Sequence, residues 1–289
     1  CHHHPFEKWS QEDFYSLAAF FSQVARKGTG LSPPISGGEE FVYDRDETTS
    51  TVKHPVTDKL LAARPLFGKV PSGVADQPLR HQLAGWITAK ENRFFAQVIV
   101  NRIWADLMGR GLVEPVDDMR ATNPASNPQL LSALADHFVE QHFDFKELLR
   151  TITNSHAYGL ASTTHLGNGI DHQNYSRHYR KQLPAEVLLQ AVIDITQIDE
   201  SFTAMPAKSR PNQIWTHRVS SVFLDTFGRP DPNQDPPCER LPDANVTQAL
   251  HLMNAKQIQA KIIAKEGRVT RLLERISNPD EVFDELYLA

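Results

Sequence analysis

The chain has 289 residues and a net charge of −5, from 30 lysines and arginines against 35 aspartates and glutamates. That length allows about two ordinary domains, and a composition of 40% hydrophobic and 22% charged residues excludes the disordered, collagenous and disulfide-dense classes. The acidic balance offers no bulk attraction to phosphate backbones, so nucleic acid is not an expected partner. Apolar stretches such as 17–21 and 98–100 fall far short of the ~20 residues a spanning helix needs, so no membrane span is expected. Two cysteines, Cys1 and Cys238, are too few for a disulfide framework and leave a single bridge open.

In chain order, Ser10 with Asp13 resembles a capping box, and Phe14, Leu17, Ala18, Phe21 and Val24 follow at helical spacing, which predicts a helix over 10–27. Two prolines and four glycines within 28–38 suit a loop or linker. Within 39–57, Phe41-Val42-Tyr43 and Thr49–Val52 are β-rich and compatible with a small hairpin. From about Asp76 the pattern is helical, which places a domain boundary in 58–75.

Leu79, Leu83, Trp86 and Ile87 form one apolar stripe; Phe94, Phe95, Val98, Ile99, Ile103, Trp104 and Leu107 form a longer one closed by Gly109. Asn127-Pro128 starts a helix carrying Leu130, Leu131, Leu134 and Phe138, and Phe145, Leu148, Leu149 and Ile152 repeat the spacing. Pro184 starts another, with Glu186 near its N-terminus. Helical segments near 246–265, 268–276 and 280–288 finish the chain. Residues 230–242 hold five prolines around Cys238-Glu239-Arg240, either a rigid connector or a loop that presents something in a fixed pose. The expected fold class is mainly α: a multi-helix C-terminal domain behind a short, irregular, β-containing N-terminal connector.

Four groups of residues carry candidate chemistry. Cys1-His2 is the second half of the Cys-x-x-Cys-His pattern, in which thiols bond to haem vinyl groups and the histidine ligates iron; Cys1 with His2, His3 or His4 on zinc is the alternative. On the haem reading, His4 is too close in sequence to His2 to reach the opposite face, and His54, His81, Met108 and Met253 remain as sixth-ligand candidates without a choice among them. Asp117, Asp118 and Arg120 could bind a metal or set up one raised and one lowered pKa. The plainer alternative is a turn cap plus a structural ion pair, and adjacent side chains tend to point apart. Cys238, Glu239 and Arg240 could form a reactive thiol beside a cation, or a pair that buttresses a loop, with Asn245, Thr247, Gln248 and His251 following. Trp215, His217 and Arg218, and the run Tyr175–Tyr179 with His172 and His178, could line a carbohydrate groove or simply pack. No G-x-S-x-G elbow, H-E-x-x-H, P-loop or G-x-G-x-x-G is present.

The stretch HPFEKWSQEDFYSLAAFF (4–21) resembles the C-terminal end of the planctomycete cytochrome c-associated domain, whose members carry Cys-x-x-Cys-His-x-His-Pro-Phe before a similar helix. The segments at 83–138, KQLPAEVLLQAV (181–192), FLDTFGRPDP (223–232) and CERLPDANVTQALHLMN (238–254) are similar to the planctomycete-specific domain of unknown function that follows it. The resemblance implies a division into 1–27, a remnant of the cytochrome c-associated domain; 28–75, a connector; and 76–289, the helical domain. It also implies haem c in a longer parent, with Cys1 as the second linking cysteine and His2 as the axial ligand. Export to the periplasm or cell surface follows, since covalent haem is attached outside the cytoplasm. The expected partners are the upstream domain of the parent chain and either a redox partner or polysaccharide. Two functions result: electron transfer or a scaffold for it, and an exported enzyme or binding module acting on polysaccharide through residues 117–120 and 239–240.

Overall fold

A computed structural model describes residues 8–28, 40–45, 50–203, 205–214, 219–230 and 245–288. The protein is mostly helical, with a few short antiparallel strands near the N-terminus. It divides into two compact units, Cys1–Tyr179 and Arg180–Ala289.

In the first unit, α1 (Gln11–Ala18) begins at the anticipated capping box: the Ser10 hydroxyl accepts from the Asp13 N–H, and the Asp13 carboxylate accepts from the Ser10 N–H. The helix expected over 10–27 is shorter than its apolar spacing suggests. After Ala18 the backbone tightens into a 3-10 turn (Ala19–Phe21), and β1 (Val24–Gly28) pairs antiparallel with β2 (Glu40–Asp44). The hairpin expected within 39–57 is corrected in the same way. Its two β-rich segments do not pair with each other; β3 (Thr51–Lys53) pairs with β4 (Leu60–Ala62) instead. In both cases pairing with more distant residues overrides local pattern.

His54 turns that second hairpin: its Nδ1 accepts from the Val56 and Thr57 N–H groups at 3.2 Å each. The ring is buried, with Tyr15 at 5.3 Å. A 3-10 turn (Ser72–Val74) leads into α2 (Leu79–Ile87), whose Leu83 and Trp86 bury against Phe20.

The main core of this unit lies among α3 (Arg93–Met108), α4 (Pro128–Glu140) and α5 (Phe145–Thr153). These are three helices read from sequence, but α3 buries Ala96, Val100, Trp104 and Met108, so that of its expected stripe Phe94 is exposed, as are Phe145 and Leu149 of α5. Gly109 ends α3 at φ 81°, a left-handed backbone that glycine adopts without a Cβ penalty. Asn127 caps α4 through a bond from the Leu130 N–H, with Pro128 in the first turn.

The second unit packs α6 (Ala185–Thr196) against a 3-10 turn (Pro211–Gln213) and α7 (Val222–Thr226), followed by α8 (Val246–Asn254), α9 (Lys256–Ile262), α10 (Arg268–Arg275) and α11 (Pro279–Tyr287). The single segment expected near 246–265 is two helices, because Ala255 takes an extended backbone (ψ 126°) between α8 and α9. Lys261, on α9, is buried and donates to the Ile198 and Asp199 carbonyls at 2.9 Å each, with the Glu200 carboxylate at 3.0 Å. A buried ammonium is tolerated there because all three partners are oxygens. No helix among the described residues is long and apolar enough to cross a membrane.

Candidate functional site

The long helix α3 brings a polar residue into the middle of its apolar face. Asn101 is wholly buried, and its amide is fully used: Nδ2 donates to the Val113 and Val116 carbonyls (2.9 and 2.8 Å) and Oδ1 accepts from the Val113 N–H (3.0 Å). These bonds take the place of a strand ladder for the loop after Gly109. From the other side, Asn123 Nδ2 donates to the Glu114 and Asp118 carbonyls at 3.0 and 2.9 Å. Beneath the loop, the Tyr175 hydroxyl is shared between the Gly111 and Arg110 carbonyls at 2.8 and 3.1 Å. Gly111 must be glycine, since a Cβ there would sit 2.4 Å from the Val113 carbonyl oxygen.

Tyr175 is itself held by a rigid turn. Asp171 accepts from the N–H groups of Gln173, Asn174 and Ser176, and bonds from the Ser176 side chain and these amides hold its carboxyl well below the usual carboxylate range. Burial pushes the Tyr175 phenol up to about 12. A raised phenol favours the protonated form in the folded state, so its stabilisation is complete below pH ~10 and is lost as pH rises towards the folded value. We expect alkaline unfolding to begin above pH ~10, and Tyr175→Phe to flatten that limb at the cost of some stability at neutral pH. Denaturant midpoints measured from neutral pH to strong alkali test this; an unchanged alkaline slope in the variant would refute it.

The loop so held presents Asp117, Asp118 and Arg120, and each carboxylate has its own guanidinium. Arg102 of α3 grips Asp117 through Nε at 2.6 Å and through a second bond from Nη2. Arg120 grips Asp118 through Nε and Nη2, both at 2.5 Å. The Arg120 bonds hold the Asp118 carboxyl below its ordinary range. The ion pair expected of Arg120 as the plainer alternative is therefore present, joined by a second between Arg102 and Asp117.

These forks edge a cavity of about 820 Å³, a size ordinary for small-molecule sites. Its walls are apolar and aromatic: Phe67, Trp86, Phe94 and Phe95, with Val98 and Ile99 along α3. Phe67 packs with Trp86 and Phe94 at ring separations of 5.0 and 5.6 Å, and the Trp86 indole N–H donates to the Phe67 carbonyl at 2.9 Å. Lys8 and Trp9 complete the lining, the Lys8 ammonium 5.0 Å from the Trp9 ring. Asn92, just before α3, is buried against the cavity. Its Nδ2 donates to the Trp86 carbonyl at 3.2 Å, and its Oδ1 is buried without a hydrogen-bond donor.

A family model described as PSD1, protein of unknown function (DUF1553), matches residues 79–287. The chain belongs to the PSD1 family. The matched segment runs from the start of α2 through α11 and includes Asp117, Asp118 and Arg120. No curated protein and no solved structure matches the chain.

The other candidates fare differently. Cys1, His2, His3 and His4 lie outside the described residues, as do Trp215, His217, Arg218, Cys238, Glu239 and Arg240. Among the described residues no group of three His, Cys, Asp or Glu side chains converges to hold a metal. Met108 is enclosed in the core, and Met253 is mostly exposed. Tyr175 and Tyr179 pack in the core of the first unit rather than lining a groove. In the second unit Gln248 is structural: it forms a capping box with Asn245, donates to the Thr226 carbonyl at 3.1 Å and accepts from Gln182 at 2.9 Å. His251 packs edge-on against Phe223 and Phe227.

Sequence reasoning groups Asn123 with Asp117, Asp118 and Arg120, and missed Asn92, Asn101 and the aromatic wall as parts of the same site. For Asn101 a signal existed: a lone amide between Val98 and Trp104, in the middle of an apolar stripe, needs buried partners.

Proposed function

We propose that this PSD1 protein is a non-catalytic carbohydrate-binding module of an exported, haem-associated protein. The observation that carries the binding reading is the cavity of the first unit, with aromatic walls beside two Asp–Arg forks. Aromatic faces stack on the apolar faces of sugar rings, while fixed carboxylate and guanidinium groups match ring hydroxyls as acceptors and donors. A hydrolytic role is disfavoured because both carboxylates are already gripped by arginines, and the Asp118 carboxyl is held below its ordinary range.

The haem association rests on Cys1-His2 and the resemblance of residues 4–21. Covalent haem there would supply electron-transfer chemistry, with His2 on the iron and Cys1 on the porphyrin edge. Export rests on the same residues.

Calorimetric titration with a panel of soluble oligosaccharides tests the binding reading. We expect saturable binding with no release of reducing ends, and a loss of binding in Phe94→Ala, whose ring is half exposed and free of core duties. A panel without a single binder overturns the module, as does hydrolysis of a bound sugar. Protein isolated from its own cells tests the other part: the absence of a covalent haem band removes haem and electron transfer from the proposal.

A further inference from the structure

The charged groups lining the cavity do not cancel. Among the described residues they are Lys8, Arg102 and Arg120 against Asp117 and Asp118, a local excess of one positive charge in a chain whose net charge is −5. Each aspartate is already neutralised by a two-pronged arginine contact, so the forks are polar but nearly charge-balanced. Lys8 is different: it is exposed, its ammonium stands over the Trp9 ring, and among the described residues no carboxylate pairs with it. An ammonium on a flexible stem acts as a point charge for an anion and makes no demand on the anion's planar geometry. The ring beneath restrains that charge at the edge of the aromatic lining.

We infer that the cavity selects a glycan bearing an acidic group, carboxylate or sulfate, which meets Lys8 while the sugar ring packs on the aromatic wall. This inference rests on the carbohydrate reading and names the substrate class of the same site. The added attraction is that of one partly solvated ion pair, so it tunes selection among sugars more than it sets affinity. It also fades with salt, because the pair is open to screening.

The test compares three oligosaccharides of equal length by calorimetry: a neutral one, a uronate and a sulfated one, each at low and high ionic strength. We expect the acidic ligands to bind ~2- to 5-fold more tightly than the neutral one at low salt, the size of an exposed ion pair. The preference should close at high salt, and in Lys8→Gln the ratio of acidic to neutral affinity should fall to about one. A uronate preference without a sulfate preference identifies carboxylate as the group, and the reverse identifies sulfate. Equal binding of neutral and acidic ligands by the unaltered protein overturns the inference and leaves the carbohydrate reading standing. A preference that survives Lys8→Gln also overturns it, whereas failure of all three ligands removes the carbohydrate reading itself.

Discussion

Asn101→Leu is expected to destabilise the protein by about 3–5 kcal/mol, since it removes every partner of the Val113 N–H, the Val113 carbonyl and the Val116 carbonyl while nearly conserving volume. Each buried backbone group left unmade costs on the order of 1–3 kcal/mol, and little of that is recovered by the added methyl groups. The consequence for function is local. The loop carrying Asp117 and Asp118 loses its tether to α3, so ligand binding should fall further than global stability alone explains. Asn101→Asp should be no milder, because the carboxylate keeps the bond from the Val113 N–H but sets its second oxygen against the Val113 and Val116 carbonyl oxygens in a buried site. Urea denaturation measures the effect; a loss under about 1 kcal/mol would mean that water replaces the side chain and that the loop is not held as described. Gly111→Ala probes the same loop from a second direction, through the close approach of the Val113 carbonyl.

Trp86→Ala should cost about 3–5 kcal/mol, the usual range for deleting a buried tryptophan. Its indole joins Phe20 of the N-terminal segment to Leu83 of α2, holds the Phe67 carbonyl, and forms one wall of the cavity. Trp86→Phe separates these roles: it preserves much of the packing and loses the indole bond, so it should retain more stability than the alanine variant. Thermal unfolding with both variants checks this, and equal losses would show that packing around Phe67 contributes little. Phe94→Ala, at the exposed part of the wall, should affect binding far more than folding.

Much of the helical architecture is legible in sequence because it rests on local signals. Gly109 stops α3, Asn127-Pro128 opens α4, and Pro184 precedes α6, each through backbone chemistry that needs no distant partner. The N-terminal elements are not legible in this way. Val24 continues an apolar helical spacing, yet it lies in a strand whose partner is twenty residues further on. The apolar face of α1 likewise gives no hint that Ser16 accepts a bond from the Arg64 N–H across the β3–β4 hairpin.

The site is half legible. Asp117, Asp118 and Arg120 stand out as a charged cluster, but the partner of Asp117 is Arg102, fifteen residues earlier on a helix face, which no local pattern announces. The aromatic wall draws on Phe67, Trp86 and Phe94 from three separate segments, and no spacing rule links them.

The cavity also bears on where a physically complete unit begins. Lys8, Trp9, Leu66 and Phe67 precede the segment that matches the family, while Trp86, Phe94 and the two Asp–Arg forks lie within it. Evolutionary relatedness marks its border at residue 79, but the hydrophobic surface at that border is shared by side chains on both sides. A PSD1 chain trimmed to the recurring segment would therefore turn a recess into an open, water-facing patch of aromatic rings, and stickiness in such a truncated preparation would reflect the cut and not the protein.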